Sequence, residues 1–357
     1  MTNFLLAGGG TAGHVNPLLA LADEIMEQSK SNKVWALGTS EGLEARLVPA
    51  RGYELLVVPR LPMPRSPNLY ALTFPVKFQK SVELVKSYIK EHKIDVVVGF
   101  GGYASAPAYR AAKSLNIPYV IHEANAMPGY ANRVGAKSAS AVGITFKNTK
   151  LPNSSFVGMP LRKEILEVSS SDFRFEGAKY FGLNPKLTTL VVTGGSLGAK
   201  RINETIEASR KVLDAAGIQV LHIVGDRAGL EPISAGSYHR ISYCDRMDLA
   251  LASADFVVAR AGAATVCELA AIGLPSVLVP YPVGNGEQKF NAADLVNAGG
   301  SLLVEDAKFT PEYVSQVLVP LLSDTKRVSA MAEKAKTQGV IDGSKRLLKL
   351  ISGVLKG

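Results

Sequence analysis

The residue best suited to acid–base chemistry is His14, which directly follows the run GGGTAG at positions 8–13. Imidazole groups titrate near neutral pH, so a histidine placed here is able to take a proton from a hydroxyl group. The alternative is a histidine that only caps or lines a turn. Because the glycine run links an apolar strand to a helix, where open α/β sheets bind ligands, we predict that His14 is catalytic or contacts substrate.

A second glycine-rich turn, GGSLG at positions 194–198, also separates an apolar strand from a helix. Glycine lets a backbone approach a ligand closely, and the free N–H groups of the following helix attract phosphate. The first turn fits the pattern G-x-G-x-x-G, but the acid that a dinucleotide site needs is missing, since the nearest, Glu41, comes late. Neither turn continues as G-K-[ST], which excludes a P-loop.

Other segments place polar groups at or near strand ends. Glu268 falls in the second turn of a predicted helix, where a carboxylate is able to bind a ribose diol or simply compensates the helix dipole. We find no cluster of His, Cys, Asp or Glu with metal-ligand spacing, so we expect neither a catalytic metal nor another cofactor. The polar segments are 101–107 (GGYASAP), 122–125 (HEAN), 261–268 (AGAATVCE) and 284–288 (GNGEQ), the last of which is also ordinary turn chemistry.

These segments need a scaffold, and short β-branched runs alternate with helical segments, such as 18–29 and 202–215, along the chain. This alternation is typical of α/β proteins with parallel sheets and right-handed crossovers. Each half begins alike, with FLLAGGGTAGH and LVVTGGSLGAKR. We therefore predict two Rossmann-like doubly wound domains facing across a cleft, over residues 1–160 and 161–343, with a last helix over 344–355 that packs back on the first domain.

Composition agrees with a globular protein of two cores, since the 357 residues are 47% hydrophobic and 20% charged. Two cysteines and no recognisable signal peptide indicate a reducing, cytoplasmic compartment. The most apolar stretch, residues 261–284, is broken by Gly273-Leu274-Pro275, so we do not expect it to span a membrane.

The net charge of +9 is concentrated in part in residues 60–93, where seven basic residues meet two acidic ones among apolar and aromatic side chains. This combination suits the surface of an anionic membrane leaflet, and the alternative is a core-facing helix with a solvated basic side. Nucleic acid is a poor candidate partner, because no nucleic-acid-binding motif accompanies the charge.

Seven motifs follow one another along most of the chain: GGGTAGHVNPLLALA, GGYASAPA, HEANAMPGYANR, VGMPLR, GGSLGAKRIN, RAGAATVCELAAIGLPSVLVPYP and NGEQKFNA. Taken in order, these motifs resemble the MurG family of glycosyltransferases. The resemblance implies a GT-B fold, UDP-GlcNAc as donor, and lipid I, an undecaprenyl-linked muramyl peptide, as acceptor. It also implies inversion at the anomeric carbon, lipid II as product and a peripheral place on the cytoplasmic face of the cell membrane.

Carried over position by position, the resemblance assigns most of the donor site to the second half. The residues implied there are Gly195 and Ser196 for the diphosphate, Ala263, Ala264 and Thr265 beside it, Cys244 for the uracil, Glu268 for the ribose, and Glu287, Gln288 and Asn291 for the GlcNAc hydroxyls.

In the first half, the resemblance implies His14 as general base. Thr11, Gly13 and Asn125, with Arg162 in the linker, are implied on the donor, and the acceptor residues are Gly102, Tyr103, Ser105, His122 and Glu123. Four positions depart from the family pattern, namely Met159, Leu197, Cys244 and Glu287, which puts the side-chain contacts there in doubt.

Three alternatives stay open. Another UDP-sugar enzyme of the same fold, such as a lipid glycosyltransferase or a UDP-GlcNAc 2-epimerase, is disfavoured by the motifs GGYASAPA and HEANAMPGY. An NAD-dependent oxidoreductase is disfavoured by the missing acid. A nucleotide-sugar-binding protein without catalysis is the third.

Overall fold

The computed structural model describes residues 1–64, 66, 68–195, 197–226, 228–283 and 285–356. The chain divides into two compact units. The first comprises Met1–Arg162 together with the terminal segment Asp342–Gly357, and the second comprises Lys163–Ile341.

Each unit is built on a seven-stranded sheet whose order reverses in the middle. The first has the order β3-β2-β1-β4-β5-β6-β7 and the second β10-β11-β9-β8-β12-β13-β14. Neighbouring strands are parallel, except that β10 runs antiparallel to β11. The strands are β1 (Asn3–Ala7), β2 (Lys33–Gly38), β3 (Glu54–Val57), β4 (Val96–Gly99), β5 (Tyr119–Glu123), β6 (Ala141–Ile144), β7 (Ser154–Phe156), β8 (Thr188–Thr193), β9 (Ile218–Ile223), β10 (Ile233–Ala235), β11 (Tyr238–Ile241), β12 (Phe256–Ala259), β13 (Ser276–Leu278) and β14 (Ser301–Leu303).

Helices connect the strands, and Asp306–Lys308 forms a 3₁₀ turn. A π-helical turn, Val314–Leu318, joins two of the helices into one continuous segment. The helices are α1 (Ala12–Gln28), α2 (Glu44–Ala50), α3 (Leu69–Glu91), α4 (Ser105–Ser114), α5 (Tyr130–Gly135), α6 (Lys163–Ser170), α7 (Arg174–Phe181), α8 (Lys200–Ala208), α9 (Arg210–Ala215), α10 (Met247–Ala252), α11 (Ala263–Ile272), α12 (Glu287–Asn291), α13 (Ala293–Asn297), α14 (Pro311–Tyr313), α15 (Val319–Ser323), α16 (Thr325–Lys336) and α17 (Gly343–Lys356).

The central strands are apolar on both faces, as parallel sheets covered by helices require. All four residues of β4 are buried, and so are those of β12. The sheet order reverses between β1 and β4 and between β8 and β12, and ligands of open α/β sheets bind at such a reversal, beyond the carboxyl ends of the strands. The two glycine turns lie at these two points.

Helix α17 completes the core of the first unit from the far end of the sequence. Its apolar residues Leu347, Leu348 and Ile351 are buried in the same cluster as Val15 and Leu18 of α1. The helix is amphipathic, with lysines between the buried positions, which explains why its apolar stripe packs inward.

Candidate functional site

His14 lies in the first turn of α1, with its imidazole half-buried. Its Nδ1 is 3.1 Å from the carbonyl oxygen of Gly9 and 3.4 Å from Oγ1 of Thr11. A carbonyl oxygen only accepts hydrogen bonds, so Nδ1 carries the proton and donates it. In the neutral ring the lone pair then resides on Nε2, so Nε2 is able to accept a proton as a general base.

The loop after β4 packs directly on the first glycine turn. A Cβ atom at Gly102 would overlap the backbone of Gly9, and one at Gly101 would lie 3.1 Å from Nε2 of His14. Both glycines also have positive φ, +95° for Gly101 and +81° for Gly102. A side chain at either position is therefore disfavoured by the backbone conformation as well as by the close contacts. Glycine is therefore required for the two loops to meet beside the imidazole.

Ser105 holds this loop rather than facing solvent. Its side chain is fully buried, its hydroxyl accepts a hydrogen bond from the Gly101 N–H at 3.0 Å, and the carbonyl oxygens of Ala7 and Gly101 lie within donating distance of it. Ser105 therefore fixes the backbone between β4 and α4, and its expected contact with the acceptor stays a prediction.

His122 and Glu123 are likewise interior residues, 0% and 2% exposed. Burial lowers the pKa of His122 to about 4, so the ring is neutral, with Nε2 3.0 Å from the Gly158 carbonyl oxygen. Burial raises the pKa of Glu123, whose carboxyl group accepts hydrogen bonds from the N–H groups of Asn125 and Gly129. These two residues shape the loop that presents Asn125 and do not line an open surface.

The remaining first-unit candidates are accessible. Thr11 is exposed, while Gly13, Gly102, Tyr103 and Asn125 are half-buried. The guanidinium of Arg60 lies over the Tyr103 ring, 5.2 Å from its centroid, which fixes the ring beside the loop. Arg162 ends the first unit and is half-buried.

Sequence reasoning missed Glu44, which is the acid that serves the first glycine turn. Its fully buried carboxylate accepts a hydrogen bond from the Gly10 N–H at 2.7 Å, and two more from the N–H and hydroxyl of Thr39. The Gly10 N–H is therefore already bonded to a carboxylate and is not available to a phosphate oxygen. The signal was available in the run GTSEGLE at 38–44, where an acid follows the second strand among small residues.

In the second unit, two backbone elements lie beyond the ends of the neighbouring strands β8 and β12. Gly195 has a φ of +83° with open space around its Cα, and Gly198 packs on the backbone of Val224. Helix α11 begins at Ala263, so the N–H groups of Ala263, Ala264 and Thr265 stand at a helix start. Because β8 and β12 are neighbours, both elements lie at the same edge of the sheet. Ser196 lies outside the described residues.

Polar side chains surround this edge. Glu268 follows Ala264 by one helical turn and is 8% exposed. The side-chain oxygen Oε1 of Gln288 accepts a hydrogen bond from the Tyr281 N–H at 2.9 Å, and the side-chain amide of the buried Asn291 donates to the Ala261 carbonyl oxygen at 3.4 Å. Glu287, at the start of α12, and Cys244, after β11, are half-buried. Gly284, the first residue of the predicted polar loop, lies outside the described residues.

Arg260 braces the same region. Its guanidinium Nη1 donates to the carbonyl oxygens of Val279 and Pro280 and pairs with Asp306 at 2.6 Å. Arg260 and Asp306 are 12% and 16% exposed at the side chain, so this ion pair is well shielded from water. It fixes the end of β13, from which the segment carrying Glu287 and Gln288 departs.

The basic, apolar stretch of the sequence contains helix α3. Its second half is anchored by the buried Val82, Val85 and Ile89. Its first half exposes Leu69 and Leu72, 78% and 77% accessible, together with Val76 and the neighbouring Lys77 and Lys80; Arg65 lies outside the described residues. None of the helices in the described ranges combines the length and apolarity needed to cross a bilayer.

Comparisons with known proteins agree with this picture. A model of the glycosyltransferase family 28 N-terminal domain matches residues 4–144, and one of the family 28 C-terminal domain matches residues 189–347. A protein of Leifsonia xyli named UDP-N-acetylglucosamine--N-acetylmuramyl-(pentapeptide) pyrophosphoryl-undecaprenol N-acetylglucosamine transferase is 56% identical over 98% of both chains. A Streptomyces coelicolor protein of the same name is 46% identical over 97% of this chain and 96% of its own. The crystal structure of Acinetobacter baumannii MurG superposes with a TM-score of 0.78 at 27% identity, covering 99% of this chain and 100% of that one.

Two parallel-sheet α/β units matching these two domain models define a GT-B glycosyltransferase, as the sequence predicted. The chain belongs to the MurG family within glycosyltransferase family 28, so the resemblance seen in the sequence motifs is confirmed.

Proposed function

We propose that this chain transfers GlcNAc from UDP-GlcNAc to the C4 hydroxyl of the muramyl sugar in lipid I, forming lipid II for peptidoglycan synthesis, with inversion at the anomeric carbon. The observation that carries the proposal is 56% identity, over 98% of both chains, to a transferase named for this reaction. The contact of His14 Nδ1 with the Gly9 carbonyl oxygen, which leaves the lone pair of the neutral ring on Nε2, supports it chemically.

In the proposed mechanism, Nε2 of His14 takes the proton of the acceptor hydroxyl as its oxygen attacks C1 of GlcNAc. The C1–O bond to the diphosphate breaks, and UDP leaves with the electron pair from the opposite face. The imidazolium then returns its proton to solvent. Thr11, Gly13, Gly102, Tyr103 and Asn125 line the turn and its neighbouring loops, and we assign them to the two sugars.

The donor is assigned to the second unit. The N–H groups of the turn at 194–198 and of the start of α11 stabilise the diphosphate as negative charge develops on it, without a metal. Glu268 accepts hydrogen bonds from the ribose hydroxyls, the backbone near Cys244 reads the uracil, and Glu287 and Gln288 face the GlcNAc. Arg162 supplies positive charge to the phosphates, and buried Asn291 supports the loop.

The exposed face of α3 is assigned to the membrane. Leu69, Leu72 and Val76 project apolar groups next to Lys77 and Lys80. Apolar insertion and attraction to anionic headgroups add together at such a surface, which supports a peripheral position on the cytoplasmic face of the cell membrane, where we expect the lipid acceptor. Nucleic acid has no role in the proposal.

The test is a transfer assay with UDP-GlcNAc and a soluble lipid I analogue, with UDP-glucose as a parallel donor. We expect a β-linked GlcNAc–MurNAc disaccharide product, and turnover that persists in EDTA with demetallated reagents. Conversion of UDP-GlcNAc without an acceptor would instead identify an epimerase, and absence of any turnover would refute the proposal.

A further inference from the structure

The buried carboxylate of Glu44 is connected to His14 through a single peptide group. Glu44 accepts a hydrogen bond from the N–H of Gly10 at 2.7 Å, and His14 Nδ1 lies 3.1 Å from the carbonyl oxygen of Gly9. That N–H and that carbonyl belong to the same peptide bond. A trans peptide is planar, with its N–H and C=O pointing in opposite directions, so fixing one end fixes the other.

The sequence makes room for this carboxylate at three glycines. Cβ atoms at Gly9, Gly38 or Gly42 would each overlap the Glu44 side chain. The two carboxylate oxygens divide their partners, since Oε2 binds Gly10 and Oε1 binds both the N–H and the hydroxyl of Thr39. Glu44 therefore has one defined orientation, and that orientation is set by contacts independent of His14.

Glu44 is also charged despite its burial. Desolvation opposes ionisation, but the hydrogen bonds from Gly10 and Thr39 outweigh it and lower the pKa of the carboxyl group. A hydrogen bond to an ionised acceptor polarises the peptide, which makes the Gly9 carbonyl oxygen a stronger acceptor for the proton on Nδ1. A negative charge thus stands one peptide away from the ring that must become positive.

We propose that Glu44 is a positioning residue for the base: through the Gly9–Gly10 peptide it holds His14 as the Nδ1–H tautomer and stabilises the imidazolium formed in the reaction. The arrangement performs the task of the aspartate in a Ser-His-Asp triad, with a peptide group interposed between carboxylate and imidazole. The inference rests on the proposed function for the role of His14, but its geometric content stands apart from the reaction.

The kinetic test is Glu44→Gln, which keeps the shape and removes the charge. We expect kcat for GlcNAc transfer to fall about 10- to 100-fold, with the KM for UDP-GlcNAc within about threefold of wild type, because the donor is assigned to the second unit. The control is Glu207→Gln, which makes the same change at a carboxylate bonded to Tyr238 and Arg240 in the second unit, and should leave kcat near wild type. Wild-type kcat in Glu44→Gln would overturn the proposal.

The spectroscopic test reads the tautomer and does not depend on turnover. In protein labelled with ¹⁵N-histidine, with His14→Ala used to assign the signal, His14 should show a protonated Nδ1 in the wild type, and a growing Nε2–H population in Glu44→Gln. An Nε2–H tautomer in the wild type would overturn the inference even if Glu44→Gln failed to fold. If the wild type proves inactive in transfer, the proposed function fails while this measurement still decides the role of Glu44.

Discussion

His14 could be predicted as the candidate base from the sequence, because an imidazole and a glycine-rich turn occur together within seven residues. The tautomer of His14 could not be predicted, because it depends on the direction of the Gly9 carbonyl group. The role of Glu44 was not predicted for a related reason, since Glu44 is distant in sequence from the glycine turn that it contacts. An acid after the second strand is also usually considered only as a possible ligand of a ribose.

Burial separates the remaining site candidates in a way that residue type alone does not. Ser105, His122, Glu123 and Asn291 are all polar residues in recognisable motifs, yet each is 2% exposed or less. Buried polar groups must be hydrogen-bonded, so a motif rich in them is as suited to shaping a loop as to touching a ligand. The sequence motifs predicted which loops carry the site, which stays a prediction, but they could not show that these side chains are interior.

At this scale we predict that Glu268→Gln raises the KM for UDP-GlcNAc about 10- to 100-fold while kcat changes by less than about threefold. The physical reason is that hydrogen bonds to a charged group contribute about 1.5–3 kcal/mol, and those to a ribose are made equally in the ground and transition states. Steady-state kinetics with varied donor checks this. Glu333→Gln on the exposed surface of α16 is the control, and an unchanged KM in Glu268→Gln would remove this residue from the donor site.

Among the elements, central strands were the most predictable, since a buried β-branched run such as β4 or β12 has little choice of conformation. The helix ends were less so. Helix α1 begins at Ala12 rather than at 18, because the glycine turn ends sooner than its composition indicates. The predicted helix over 202–215 is two helices, α8 and α9, separated at Ser209, whose hydroxyl donates to the Thr205 carbonyl oxygen.

Helix α3 carries a prediction of its own. Replacing Leu69, Leu72 and Val76 together with serine should weaken partitioning into vesicles that contain anionic phospholipid by about 10- to 100-fold, because burial of apolar surface contributes roughly 25 cal/mol per Å². Vesicle sedimentation measures it.

The matched control for α3 replaces Phe175 and Tyr180 with serine; these large side chains on α7 of the second unit are 71% and 58% exposed. That variant should bind the same vesicles as the wild type does. Equal loss in both variants would assign membrane binding to general hydrophobicity rather than to α3.

At the scale of the whole molecule, we predict how the buried residue His222 makes the stability of the protein depend on pH. His222 is fully buried between Tyr238 and Asn203, and burial lowers its pKa to about 4 from an ordinary 6.5. The unfolded chain binds this proton below about pH 6.5 and the folded chain only near pH 4. The contribution of His222 to the free energy of unfolding is therefore fully present above pH 6.5, and it falls by about 3 kcal/mol as the pH drops to 4.

Hydrogen exchange of the β9 amides at several pH values tests this, with His222→Gln as the comparison. The variant should be less stable at neutral pH but should lose less stability between pH 6.5 and 4 than the wild type. Parallel pH dependence in the two proteins would contradict a neutral, buried His222.

At the scale of the whole molecule, we propose that two similar glycine turns have different tasks, with the base on the first and the donor diphosphate on the second. The most direct measurement compares His14→Ala with the wild type in two quantities: the dissociation constant for UDP-GlcNAc by calorimetry, and kcat for transfer to a lipid I analogue. We predict an affinity within about threefold of wild type and a kcat lower by roughly 10²–10⁴-fold, whereas His239→Ala changes neither. Near-wild-type turnover in His14→Ala, or a loss of donor affinity as large as the loss of turnover, would show that the two turns do not divide these tasks.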